Sequence, residues 1–218
     1  MDVTYHKLGQ FIQDVIVWNK VIGEDFGEQK FDLQKKITLE EINETIDAYR
    51  NNDKKEIIDG VGDILVTAGY FNYLKTQSDE FLKEKIQFDS EVMPFYIGFE
   101  SLLDNIKTSI IRGHTCHFSL SLLASKTIDM YGRELVEDYF QAIIKSNYSK
   151  FILPEDWNED LELQHARNKY AGKFENIIPV TVTVDNQDYI LLKADNGKGK
   201  LLKPTLFREP HDFMINPI

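Results

Sequence analysis

The chain has 218 residues, 42% hydrophobic and 28% charged, enough to bury a true core as one large domain or one domain with an appendage, which excludes wholesale disorder. Its 25 Lys and Arg against 36 Asp and Glu leave a net charge of −11, a field that repels duplex nucleic acid and anionic lipid but admits an anionic small molecule if divalent cations accompany it. Cys116 is the single cysteine, so neither an intramolecular disulfide nor a cysteine-based zinc site is available.

Segment 1–10 has neither a basic leader nor an apolar stretch, and no run approaches 18 uncharged apolar residues, so a soluble cytoplasmic chain with no membrane partner is expected. Apolar residues recurring at three and four, Phe11, Val15, Trp18, Val21 and Ile22, predict a first helix. Thr38, with Glu41 three residues on, has the capping-box arrangement and predicts the start of a second helix, which Asn51, Asn52 and Asp53 break after about Arg50. A third helix runs from about Lys54 to Leu74 on Ile57, Ile58, Val61, Ile64, Leu65, Ala68 and Phe71, and the short break makes the pair an antiparallel hairpin. Two more helical patterns flank Met93-Pro94 within 78–111, and one or two lie in 118–146, where Leu122, Ile128, Leu135, Tyr139 and Ile143 are spaced for burial. Past Pro154 the texture changes: 161–170 reads as a short helix, 180–184 and 189–192 as strands about a turn, and 196–199 as another turn. The expected architecture is mainly α: an all-α domain over 1–153, then an appendage over 154–218 with a β-hairpin and a tail.

The chemistry concentrates on the helical hairpin. Glu40 and Glu44 are i,i+4 neighbours and Glu41 and Glu44 i,i+3 neighbours on the second helix, while Asp59 and Asp63 are i,i+4 neighbours on the third. Like charges at that spacing cost an isolated helix about a few tenths of a kcal/mol per pair, so clustering them calls for a reason. A hard divalent cation is one, since Mg²⁺ takes oxygen ligands, water and substrate phosphates; a solvated acidic helix start is the other. Asp59 and Asp63 lie in an otherwise apolar helix with no Lys or Arg between Lys55 and Lys75, and Gly60 and Gly62 there leave room for close packing or ligand approach.

At these residues the chain resembles the all-α nucleoside triphosphate pyrophosphohydrolases, the superfamily of MazG, dimeric dUTPase and phosphoribosyl-ATP pyrophosphatase, in its phage and bacterial branch. Glu40-Glu41-x-x-Glu44 matches the EExxE half of the family pattern. The ExxD half is met literally by Glu56-x-x-Asp59, and in a variant form by Asp59-x-x-x-Asp63, which leads into the apolar helix; Asp59 and Asp63 are preferred, with Glu56 in reserve. Ser146-Asn147-Tyr148-Ser149-Lys150-Phe151 is similar to the element that closes the last core helix, and Gly199-Lys200-Leu-Leu-Lys203-Pro204 to a tail that orders over the substrate or a partner subunit. Trp18, Asn19 and Gly23 are similar to the first-helix pattern that approaches the base.

The resemblance implies a MazG-like four-helix core with extra helices, and hydrolysis of a nucleoside triphosphate, a deoxynucleotide first among the candidates, to monophosphate and pyrophosphate. Glu40, Glu41, Glu44, Asp59 and Asp63 would hold Mg²⁺, with Mn²⁺ as substitute; Glu41 or Glu40 would take a proton from water; Lys150 would assist electrostatically; and Trp18, Asn19, Asn147 and Lys150 would bind the nucleotide. It also implies a homo-oligomer, a dimer or higher, or the equivalent duplication within one chain. Two other function classes stay open at this point: a nucleotide-sequestering protein of the same fold, and a helical interaction protein whose acidic face meets a basic partner. His114, Cys116 and His117 supply too few ligands for a zinc site.

Overall fold

The computed structural model describes residues 8–22, 28–76, 97–174, 176–195 and 199–214. Seven α-helices are found among them: α1 (Leu8–Val21), α2 (Glu28–Arg50), α3 (Lys54–Thr76), α4 (Phe99–Arg112), α5 (His117–Tyr131), α6 (Arg133–Tyr148) and α7 (Glu159–Lys169). The fold is mainly α-helical, with one open two-stranded sheet near the C-terminus. Of the helical patterns expected around Met93-Pro94, the first lies outside the described residues and the second is α4.

Helix α3 is the axis of the molecule, packed against α1, α2, α5 and α6. Its buried residues, from Ile57 through Leu74, lie on every side of the helix, because neighbours enclose it all round. Two glycines set its closest approaches. A Cβ on Gly60 would lie 2.2 Å from Thr45 Oγ1 of α2, and one on Gly62 2.0 Å from Ile143 Cδ1 of α6. Small residues therefore draw both neighbours in on either side of Asp59 and Asp63. Helix α4 closes the outside of α2 and also meets α5.

The expected start of α2 is corrected. Thr38 is no N-cap; it is a buried mid-helix residue whose Oγ1 donates to Gln34 O at 2.8 Å. A threonine hydroxyl can satisfy itself either way, and here Phe31, Gln34 and Thr38 continue the inward face one turn at a time, so the helix extends back to Glu28. The break at Asn51–Asp53 is as expected, with Asn52 at φ 55. The 118–146 pattern resolves into two helices at Gly132, whose φ of 92 no continuing helix allows.

One face of strand β2 meets the helical body, and the other closes a small core within the appendage itself. Strands β1 (Ile177–Val184) and β2 (Gln187–Ala194) pair antiparallel about Asp185 and Asn186, whose φ values of 49 and 64 make the two-residue turn that suits the hairpin twist. On β2, Leu191 packs with Trp18 and Ile22 of α1, while its neighbour Leu192 packs on the other face with Ala166 of α7 and Leu202. Buried Lys193 donates to Ile22 O at 3.1 Å, a cation on the carbonyl end of α1. The tail then crosses to α6, where Ser146 Oγ donates to Arg208 O at 2.7 Å and Arg208 N to Ser149 Oγ at 3.0 Å. A 3-10 turn, Pro210–Phe213, seats it against that helix.

Candidate active site

One cleft of about 270 Å³ opens where α1, α2, α3, the end of α6 and the tail meet. Seven of the residues to which the resemblance gives a site role line it: Trp18 and Asn19 from α1, Glu41 from α2, Asp59 and Asp63 from α3, Asn147 from the end of α6 and Lys150 just beyond it. Glu40 and Glu44 are exposed on α2 and do not line it, and Glu56 is exposed on the first turn of α3, also outside. Glu56, Asp59 and Asp63 fall on one face of α3, but Glu56 sits in its first turn, about 10 Å along the axis from Asp63, its backbone N–H donating to Asp53 Oδ1 at 3.2 Å.

The carboxylates are held under electrostatic pressure. Burial, then repulsion by Glu44, Glu40 and Asp59, pushes Glu41 up from the ordinary 4.5 to about 7, against the pull of Lys200. Burial and the nearby Asp59 and Glu41 raise Asp63 well above the usual range, although Lys150 and Lys203 oppose the rise. Asp59 has a dedicated donor: buried Tyr139 gives its hydroxyl to Asp59 Oδ1 at 2.7 Å, and the phenol is held well above its usual pKa by burial and by that carboxylate.

Facing them are three ammonium groups, Lys150, Lys200 and Lys203. Lys150 Nζ donates to Asn147 Oδ1 at 2.7 Å and stands 5.2 Å from the Trp18 ring centroid. Burial and the other two lysines lower it to about 8, while Asp63 works the other way. Lys203 stands 4.3 Å from the Phe207 centroid and pairs with Glu209 at 2.9 Å. The tail motif thus supplies Lys200 and Lys203, which the sequence placed over a substrate or a partner without assigning them contacts.

Two cleft residues end in buried polar atoms that lack a hydrogen bond among the described residues: Trp18 Nε1 and Gln34 Oε1. Each such group costs about 1–3 kcal/mol if left unsatisfied, so their coincidence in one cleft is informative. Gln34 carried no signal in the sequence; a lone Gln on an amphipathic helix is ordinary. Asn19 differs: its Nδ2 is occupied by Val15 O at 2.8 Å.

Among the described residues no three His, Cys, Asp or Glu side chains close around one point as a finished cation cage. The donors in the cleft are nevertheless hard oxygen ligands of the kind Mg²⁺ takes, and both the burial that raises Glu41 and Asp63 and the repulsion that adds to it are offset by a divalent cation. His117 and Cys116 lie elsewhere: Asn72 Nδ2 meets His117 Nδ1 at 3.0 Å, Asn72 Oδ1 accepts from Cys116 N at 3.1 Å, and burial pushes the Cys116 thiol up to about 12, leaving it inert. No described helix is long and apolar enough to cross a membrane.

No family model matches the chain, and no solved structure matches it. The chain is similar to an uncharacterized protein, L479, of Acanthamoeba polyphaga mimivirus, with 25% identity over 244 aligned positions that cover 95% of this chain and 93% of that protein. The similarity therefore runs through the helical body and the hairpin and tail alike.

Proposed function

We propose that the protein is a Mg²⁺-dependent nucleoside triphosphate pyrophosphohydrolase, with Mn²⁺ as the substitute metal, cleaving a nucleoside triphosphate, a deoxynucleotide first among the candidates, to monophosphate and pyrophosphate. One observation carries the reading: Glu41, Asp59 and Asp63 share a cleft with Lys150, Lys200 and Lys203, with the Trp18 ring beneath one of the lysines. A polyphosphate needs both walls. Carboxylates alone repel it, and lysines alone leave no oxygen ligands for a cation.

Glu41, Asp59 and Asp63 are the donors on α2 and α3 within the cleft, Glu40 and Glu44 the acids beside them on α2, and the fourth cleft carboxylate, Glu209, is paired with Lys203. When bound there, Mg²⁺ neutralises phosphate charge and lowers the pKa of a coordinated water. Glu41, inside the cleft, is placed to take a proton from water ahead of the exposed Glu40. Asn147 holds the Lys150 ammonium by its hydrogen bond, and Lys150, Lys200 and Lys203 meet phosphate oxygens as point charges. Trp18 and Asn19 approach the base from α1. In this reading α1, α2, α3 and α6 form the MazG-like four-helix unit, α4 and α5 are the extra helices, and the partners are the nucleotide and further copies of the chain in the cytoplasm.

The test is a screen of the common NTPs and dNTPs with Mg²⁺, with products identified by chromatography. Monophosphate and pyrophosphate support the reading. Tight binding without product on prolonged incubation selects a sequestering protein, and no metal-dependent change in melting temperature selects an interaction protein.

A further inference from the structure

Trp18 and Gln34 are 7% and 8% exposed, and the unpaired atoms they bring to the cleft have opposite hydrogen-bonding senses, an indole N–H that donates and an amide oxygen that accepts. Their surroundings are apolar: Ile22, Leu33, Ile37 and Val66 line the same cleft. Gln34 lies seven residues before Glu41 on one face of α2, a separation of about 10 Å along the axis at 1.5 Å per residue. Along α2 the lining therefore runs from an acidic end at Glu41 to an apolar end at Leu33, Gln34 and Ile37, while the Trp18 ring stands 5.2 Å from Lys150 Nζ. A ligand that satisfies both ends is flat, apolar on its faces, carries a donor beside an acceptor on one edge, and trails an anion.

We propose that Gln34 and Trp18 form a base-reading subsite, in which Trp18 Nε1 donates to a carbonyl oxygen or ring nitrogen of a nucleobase and Gln34 Oε1 accepts the neighbouring N–H. The proposal rests on the nucleotide reading given above and adds Gln34 as the residue that sets base preference. Buried groups built to pair with a ligand reject one that lacks the matching atoms, because they are then left unpaired. Among the described residues no group donates to the Gln34 amide oxygen.

The experiment is calorimetry in Mg²⁺ with inorganic tripolyphosphate and with the α,β-imido analogues of the four common deoxynucleoside triphosphates. Wild-type protein is expected to hold at least one analogue about tenfold or more tighter than tripolyphosphate, Gln34→Leu to lose that margin while binding tripolyphosphate as before, and Trp18→Phe, which removes the indole N–H, to lose the margin too. Without ligand, Gln34→Leu is expected to melt at the same temperature or higher, since an apolar group replaces an unpaired one. A Gln34→Leu chain that melts lower or fails to fold makes Gln34 structural and overturns the proposal, as does one that keeps the wild-type margin. Wild-type protein that binds tripolyphosphate and every analogue equally overturns base reading while leaving the phosphate site in place. Failure to bind any of the probes overturns the pyrophosphohydrolase reading itself, and the subsite with it.

Discussion

Tyr139 donates its hydroxyl to Asp59 Oδ1 across 2.7 Å, joining α6 to α3 at the acidic wall of the cleft. The bond fixes one carboxylate oxygen and leaves the other for a ligand. Tyr139→Phe keeps the buried ring and removes only this donor, so the expected cost in stability is about 1–2 kcal/mol, with a larger fractional loss in Mg²⁺ affinity. Magnesium titration followed by calorimetry checks it. Unchanged affinity would mean that Asp59 needs no orientation from Tyr139.

Gly62 is predicted to be a packing glycine. An alanine there gains helix propensity of about 1 kcal/mol but drives its Cβ to 2.0 Å from Ile143 Cδ1, a buried side chain at the edge of the cleft, an overpacking cost of about 1–3 kcal/mol. Gly62→Ala should therefore lower the melting temperature. Adding Ile143→Val, which deletes the clashing methyl, should recover part of the loss, so the double variant is more stable than the sum of the singles.

The raised carboxylates make a signed pH prediction. Glu41 has a higher pKa folded than unfolded, about 7 against 4.5, and Asp63 shifts in the same direction, so the folded state binds more protons in this window. Their contribution is fully present below about 4.5 and is lost as pH rises through about 7. Melting in EDTA should show stability falling from pH 5 to pH 7.5, by less in Glu41→Gln. Magnesium should raise and flatten the curve, because a cation satisfies the ionised carboxylates.

Lys150 is expected to separate stability from function. Burial disfavours its charge while Asn147 and Asp63 favour it, so Lys150→Met should change the ligand-free melting temperature little. The same change should raise KM or lower kcat about tenfold or more if the ammonium meets phosphate. Steady-state kinetics decide it, and unaltered constants would reduce Lys150 to a helix-ending residue.

Much of this was legible in the residues themselves, because it is local. The apolar positions of α1 and α3, the Asn51–Asp53 break and the i,i+4 spacing of Asp59 and Asp63 each depend on near neighbours in sequence. The start of α2 was not, since the Thr38 hydroxyl serves equally as a cap or as a donor to Gln34 O, and only tertiary burial decides between them. Glu40 and Glu44 match the motif as well as Glu41 does, yet only Glu41 turns into the cleft. Lys200 and Lys203 could be quoted as a motif, but nothing local says that a tail more than a hundred residues away comes back to Asp63. That depends on Leu191, Lys193 and Ser146 anchoring the hairpin and tail.

The most direct measurement of the central claim is the product balance with Mg²⁺ and the preferred nucleotide for wild-type protein, Asp63→Asn and Glu56→Gln. The account predicts equal amounts of monophosphate and pyrophosphate from the wild type, nearly the same from Glu56→Gln, whose side chain is exposed outside the cleft, and a severe loss in Asp63→Asn. Orthophosphate as the first product, or equal losses in the two variants, would contradict it.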